Sequence, residues 1–159
     1  MARADSDASQ IKMESIRVDE LLMDVRDELL RAKPEYRINI SFADAPNNDE
    51  QLCTYANRYL LSLAIRNLIE NNCKYSQNKT SNIKIHFDGG LAVDFADTGM
   101  GMNATEQKNL FKLFYRGSSH SESGHGIGMA LVQRILVLHK ASIDVLSKEG
   151  HGTTFTVKF

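Results

Sequence analysis

The segment Ile83–Ala96, "IKIHFDGGLAVDFA", constrains this chain more than any other. Two short apolar runs that alternate with polar residues flank Asp88–Gly90, "DGG". Glycines at such a junction supply the positive φ that a tight hairpin turn needs, so the two runs read as antiparallel neighbours. "SIDVLSK" and "TTFTVKF", around "EGHG", repeat the pattern at the C-terminus. Hairpins exclude an all-parallel, doubly wound sheet. The helical segments between the strands therefore have to cover one face of a mixed sheet.

Three such segments are legible. In "RVDELLMDVRDELLRAK", from Arg17, the residues Val18, Leu21, Leu22, Val25 and Leu29 recur at helical spacing; Asp19 is a plausible N-cap and Pro34 a stop. Asn57 can cap a second helix, "RYLLSLAIRNLIENNCKYS". A third runs from about Ile127 to His139 and is apolar on most sides, which predicts deep burial. "YRINISF" alternates like a half-buried strand, with Tyr36, Ile38, Ile40 and Phe42 on one side, and "LCTYA" is a short candidate strand. "ATEQKNLFKLF" is a short helix inside a segment rich in glycine, serine and polar residues. The fold class is α+β: a two-layer α/β sandwich with a mixed, mainly antiparallel sheet and helices on one face. The 159 residues make about one domain, assigned to 16–159; residues 1–15, which open with the small and polar "MARADSDASQ", read as linker.

Composition excludes some classes. A net charge of −1 gives no field for nucleic acid or an acidic membrane surface. Cys53 and Cys73 have no metal or redox spacing and read as free thiols in a reducing compartment. There is no signal peptide and no run of about 18 apolar residues.

The polar residues of the second helix are the first functional signal. At about 100° per residue, Leu61, Ile65, Leu68 and Ile69 share the core face. Asn67, Asn71 and Lys74 fall within about 60° of one another on a different side. One reading is a solvated helix face. The sharper one is a phosphate and metal site, because an amide oxygen is a hard ligand for Mg²⁺ and a lysine neutralises phosphate. Asn72 lies by angle on the core face, where it needs hydrogen-bond partners.

Two glycine segments add to this. "DTGMGM", Asp97–Met102, follows a strand; Asp97 is an acceptor able to take donors from the edge of a base, and Gly99 and Gly101 leave room for a flat ligand. "GHGIGM", Gly124–Met129, opens the third helix and exposes backbone N–H groups to an anion. It follows a polar loop and not a strand, so it is not the dinucleotide fingerprint, and no P-loop is present. In "LFKLFYRG", Phe111 and Phe114 share one helical face with Arg116 behind them: a helix pinned to the core, or the anchor of a mobile lid.

In this order, "NLIENNCKYS", "DTGMGM", "LFKLFYRG", "GHGIGM" and "GHGTTF" resemble the motifs of the catalytic ATP-binding domain of sensor histidine kinases. That domain has the Bergerat fold shared with gyrase, Hsp90-type chaperones and mismatch-repair ATPases. The resemblance spans roughly Arg17–Phe159. It implies that Asn71 ligates Mg²⁺, that Asn67 is the other polar position of that box, that Lys74 contacts phosphate and that Tyr75 lies near adenine and ribose. It implies that Asp97 accepts the adenine amino group and that Gly99, Gly101, Gly152 and Thr153 border the base. Gly124, Gly126, Ile127, Gly128 and Met129 form the hinge and phosphate-binding backbone of a lid over about 103–125, and Arg116 approaches the γ-phosphate.

The implied activity is transfer of the γ-phosphoryl group of Mg-ATP to a histidine on a separate dimerisation domain, upstream of a response regulator. The chain alone is then a cytoplasmic monomer of a dimeric parent. Hydrolytic relatives carry a glutamate where this chain has Asn67, which cannot act as a base; that favours transfer over hydrolysis. None of His86, His120, His125, His139 and His151 has the acceptor context, and no dimerisation domain is evident; the first residues read as the trace of a connector to one. Two positions depart from the family pattern: Asn72 replaces a small alanine, and "HKAS" replaces a His-Gly-Gly turn. The alternatives are a degenerate nucleotide- or partner-binding regulatory module and an anti-sigma-type serine kinase.

Overall fold

The computed structural model of the chain describes residues 11–112 and 128–159. Among these residues, seven strands and four α-helices follow in the order β1 (Glu14–Arg17), α1 (Val18–Ala32), β2 (Arg37–Phe42), β3 (Cys53–Ala56), α2 (Arg58–Tyr75), β4 (Thr80–Phe87), β5 (Leu91–Asp97), α3 (Ala104–Asn109), α4 (Gly128–Leu138), β6 (Ser142–Lys148) and β7 (Gly152–Lys158). Five strands form one sheet in the order β2-β4-β5-β7-β6. Only β2 and β4 run parallel; the other neighbours are antiparallel, so the sheet is mixed and mainly antiparallel, as the hairpins require.

The helices lie where their apolar stripes put them. Val18, Leu21, Leu22, Val25 and Leu29 of α1 are all buried, as their spacing predicts. Leu61, Ile65, Leu68 and Ile69 of α2 pack with Ile83, Ile85, Val93, Phe95, Phe155 and Val157 of the sheet in one continuous core. Each such side chain contributes about 1.5–3 kcal/mol when fully buried. The opposite face of the sheet is polar: Asp94 accepts from Thr156 Oγ1 at 2.7 Å and meets His86 Nε2 at 3.0 Å.

Several expectations need correction. Asp19 is not the N-cap of α1. Arg17 holds that position without a side-chain cap, and Asp19 lies inside the first turn, buried, taking Arg17 Nε and Nη2 at 3.1 and 2.8 Å. The ion pair with a preceding arginine outcompetes the backbone cap. The chain joins the fold at Glu14, inside the stretch read as linker, because β1 pairs antiparallel with β3 in a separate two-stranded sheet. Helix α4 is buried on one face only: Met129, Ala130, Val132, Ile135 and Leu136 are covered, whereas Val137 is 68% exposed.

The "HKAS" turn keeps its shape without glycine. Lys140 takes φ 59°, its N–H donates to Val137 O, and the Ala141 N–H donates to Leu136 O at 2.8 Å. This is a Schellman ending with a lysine at the left-handed position. His139 fastens the same end of α4 to the start of α2, since its Nε2 accepts from the Asn57 N–H at 3.0 Å while Nδ1 donates to Ile135 O at 2.7 Å.

Candidate functional site

The site is built where the C-terminal half of α2 crosses the end of β5. Asn67, Asn71 and Lys74 are half-buried along one side of the helix. Asn67 Nδ2 donates to Leu63 O at 2.8 Å, one turn back. Its Oδ1 faces the first residue of α4, where a Cβ on Gly128 would come within 2.9 Å of it. The asparagine thus marks the contact between α2 and the start of α4. Among the described residues, no hydrogen bond engages the Asn71 side chain. Lys74 and Tyr75 also line a cleft of about 740 Å³ with Gly99, Met100, Lys33 and Tyr36.

Asp97 ends β5 and is only 6% exposed. Its Oδ1 accepts from the Gly99 N–H at 2.9 Å and its Oδ2 from Asn72 Nδ2 at 2.9 Å. Burial pushes the carboxyl above its ordinary pKa, and the Gly99 N–H, the Asn72 amide and the Thr153 N–H pull it back. The register of β5 against β7 places Thr153 directly opposite Asp97. Thr153 is also buried, and its Oγ1 lies 2.8 Å from Ser147 Oγ on β6.

The glycines of "DTGMGM" serve the protein itself. A Cβ on Gly99 would collide with the backbone of Tyr75, and one on Gly101, which has φ +68°, with the backbone of Lys148. The loop therefore docks backbone to backbone, with Met100 N donating to Tyr75 O and Gly150 N to Met100 O at 2.7 Å. The room these glycines were expected to leave for a flat ligand is occupied, on the side where a Cβ would point, by the chain's own carbonyls. Beyond the loop, Met102 N donates to Ser147 Oγ at 2.8 Å, and Gln107 Nε2 of α3 bridges Met102 O and Ser147 O. The root of the expected lid is thereby tied to the strand that supports Thr153.

Of the candidate residues, Asn67, Asn71, Lys74, Tyr75, Asp97, Gly99, Gly101, Gly128, Met129 and Thr153 are described, and Met129 is buried at the start of α4. Arg116, Gly124, Gly126 and Ile127, with Phe114, lie outside the described residues. Sequence reasoning missed Ser81 and the role of Asn72. Asn72 is fully buried, as its helical angle predicts, and its Oδ1 accepts from Ser81 Oγ at 2.7 Å. A buried polar residue on a core face was the only signal for it, and a serine that shares one strand face with Ile83, Ile85 and Phe87 the only one for its partner.

A two-layer sandwich with an aspartate at the end of a central strand, beneath a helix carrying two amides and a lysine, defines a class of nucleotide-site domain. The chain belongs to the family described as histidine kinase-, DNA gyrase B- and HSP90-like ATPase, whose sequence pattern matches residues 56–159. This is an ATP-binding family. The chain is similar to the heme sensor protein HssS of Staphylococcus saprophyticus, at 35% identity over 113 residues, covering 69% of this chain and 24% of that protein. It is similar also to the sensor-like histidine kinase SenX3 of Mycolicibacterium smegmatis, at 29% identity over 150 residues, covering 91% and 38%. The chain thus spans well under half the length of these curated relatives. Among solved structures, the catalytic domain of histidine kinase ThkA superposes with a TM-score of 0.73 at 17% identity, covering 93% of this chain and 95% of that one; this shows the shared fold. Among the described residues, no helix is long and apolar enough to cross a membrane.

Proposed function

We propose that the chain from Glu14 on is the catalytic domain of a two-component sensor histidine kinase, which binds Mg-ATP and passes the γ-phosphoryl group to a histidine on a separate dimerisation domain. The observation that carries this reading is the buried Asp97 carboxylate, held at the end of β5 by donors from three directions and joined through Asn72 to α2, the helix that also carries Asn67, Asn71 and Lys74. An acceptor-only group in that place matches the exocyclic amino group of adenine. Thr153, opposite it, borders the same end, and Tyr75, Gly99 and Gly101 form its rim.

From Asp97 the phosphates would extend along α2 toward Lys74, Asn71 and the start of α4 at Gly128 and Met129. Lys74 would offset their charge. Asn71, whose amide is unengaged among the described residues, fits a Mg²⁺ ion, which when bound would neutralise the phosphates and hold them in line. Asn67, whose amide gives one N–H to Leu63 O, cannot take a proton from water, which supports transfer over hydrolysis. In this reading Arg116, Gly124, Gly126 and Ile127 complete the phosphate end from a lid over about 103–125. The parent protein would be dimeric and would act on a response regulator from the cytoplasm.

Titration calorimetry tests the proposal. Mg-ADP is expected to bind the chain, with binding lost in Asp97→Asn and weakened in Asn71→Ala. Incubated with ATP alone, the chain is expected to take up no acid-labile phosphate. Failure of the unsubstituted chain to bind nucleotide would refute the reading.

A further inference from the structure

We propose that Asn72 is a positioning residue for base recognition: its amide holds the Asp97 carboxylate aimed and acceptor-only, and so sets the preference for a purine with an exocyclic amino group over one with an oxygen at that position. The inference rests on Asp97 being the base-reading group.

The polarity of the Asn72 amide is fixed by what surrounds it. Nδ2 faces two acceptors, Asp97 Oδ2 at 2.9 Å and Phe95 O at 3.4 Å, and Oδ1 faces a donor, Ser81 Oγ at 2.7 Å. A flipped amide would set oxygen against two oxygens. Asn72 and Ser81 are both fully buried, so neither can exchange these partners for bulk water. Phe95 O and Ser81 belong to β5 and β4, which fixes the amide to the central sheet. Asn72 thus hands Asp97 a donor from α2 while Gly99 hands it one from the loop, and the carboxylate cannot rotate without losing both.

Asp97 reads the base correctly only while ionised. Protonated, it gains a donor and can satisfy a carbonyl oxygen, which blurs the distinction between the two kinds of purine. Burial drives it toward that neutral form, and the Asn72 amide is one of three donors that oppose the drift. Among the described residues, groups from several elements surround the carboxylate. On α2, burial pushes the Cys73 thiol up to about 12, so it stays neutral. Glu70 acts on Cys73 and is half-buried on another side of α2. From β4 comes Ser81, from β7 Thr153 and from the loop the Gly99 N–H.

The experiment compares ADP with inosine diphosphate, which carries an oxygen in place of the adenine amino group. Dissociation constants are measured with Mg²⁺ for the full chain and for Asn72→Ala, Asn72→Ser and Ser81→Ala, from about pH 5 to pH 8. The Asp97 ¹³Cγ resonance is titrated in the unliganded proteins. Losing a hydrogen bond to a charged group should weaken ADP binding about tenfold at neutral pH in Asn72→Ala. The ratio of the two dissociation constants should then collapse as the pH falls, over a range where the unsubstituted chain still discriminates. The ¹³Cγ midpoint should rise in Asn72→Ala. Ser81→Ala, which keeps the donor but frees the amide, should shift it less and in the same direction. Asn72→Ser keeps a polar group too short to reach, so it should behave as the alanine variant does and covers the case in which alanine fails to fold. An unchanged ratio and an unchanged midpoint in folded Asn72 variants would overturn the inference. If the unsubstituted chain binds neither nucleotide, the base-reading role of Asp97 fails instead, and the ¹³Cγ titration still reports whether Asn72 governs the carboxylate.

Discussion

Replacing Gly99 with alanine adds one methyl group at a point where the backbone leaves no space for it. The new Cβ would collide with the Tyr75 carbonyl oxygen and would lie 2.7 Å from its carbon and 2.9 Å from Ser76 Cα. These are backbone atoms at the C-terminal end of α2, so no side-chain rotation relieves the clash. Gly99 does not have a positive φ, so alanine carries no intrinsic backbone penalty there and the cost is steric alone. Relief requires the loop to lift off by roughly an ångström, which strains the Met100 N–H to Tyr75 O contact at 3.3 Å. Overpacking of this kind costs about 1–3 kcal/mol. In a domain of this size each kcal/mol lowers Tm by about 2–4 °C, so a fall of about 2–12 °C is expected. Thermal unfolding followed by circular dichroism, paired with ADP titration, reads both consequences. Gly89→Ala is the control: its φ is +69° but nothing lies within 4 Å of the added methyl. It should cost about 1 kcal/mol or less and leave nucleotide affinity unchanged. If Gly99→Ala melts with the unsubstituted chain yet loses nucleotide, the glycine makes room for the ligand and the docking explanation is wrong.

Three further expectations rest on particular contacts. The Cys73 thiol, fully buried, is raised from 9.0 to about 12. Above pH 9 the unfolded chain gives up this proton and the folded chain keeps it, so stability should fall by about 1.4 kcal/mol per pH unit from about pH 9 toward pH 12. Urea unfolding across that range should show this slope as the difference from Cys73→Ala. Lys140→Gly relieves the left-handed φ of 59° in the Schellman turn and should raise stability by about 0.5–1 kcal/mol, read as an increase in Tm. His139→Ala removes the acceptor that α4 offers to the Asn57 N–H and should cost about 1 kcal/mol, with faster hydrogen exchange at Asn57 as the local readout.

The features legible in the sequence are local ones. The spacing of Leu61, Ile65, Leu68 and Ile69 fixes the buried face of α2, because a helix repeats every 3.6 residues whatever it packs against. Asn57 caps that helix through Leu60 N, three residues away, and Asp88–Gly90 turns the hairpin. The convergence of Asn67, Asn71 and Lys74 on one side of α2 is local for the same reason. Asp19 marks the limit of such reading. It has the chemistry of a cap, but a guanidinium two residues earlier claims it.

The remaining features come from contacts between distant segments. β1 pairs with β3 across 36 or more residues, and the parallel β2–β4 pair depends on where α2 crosses the sheet; neither is written in any window of sequence. Asn72 shows the division most clearly. Its helical angle turns it toward the core, which the sequence reveals. Its partners, Ser81 nine residues on and Asp97 twenty-five residues on, meet it only because β4 and β5 pair in one register beneath α2. Periodicity specifies which way a side chain points, and the register of distant strands specifies what it meets there. For a buried amide, whose cost or benefit depends on finding partners, the second decides the outcome.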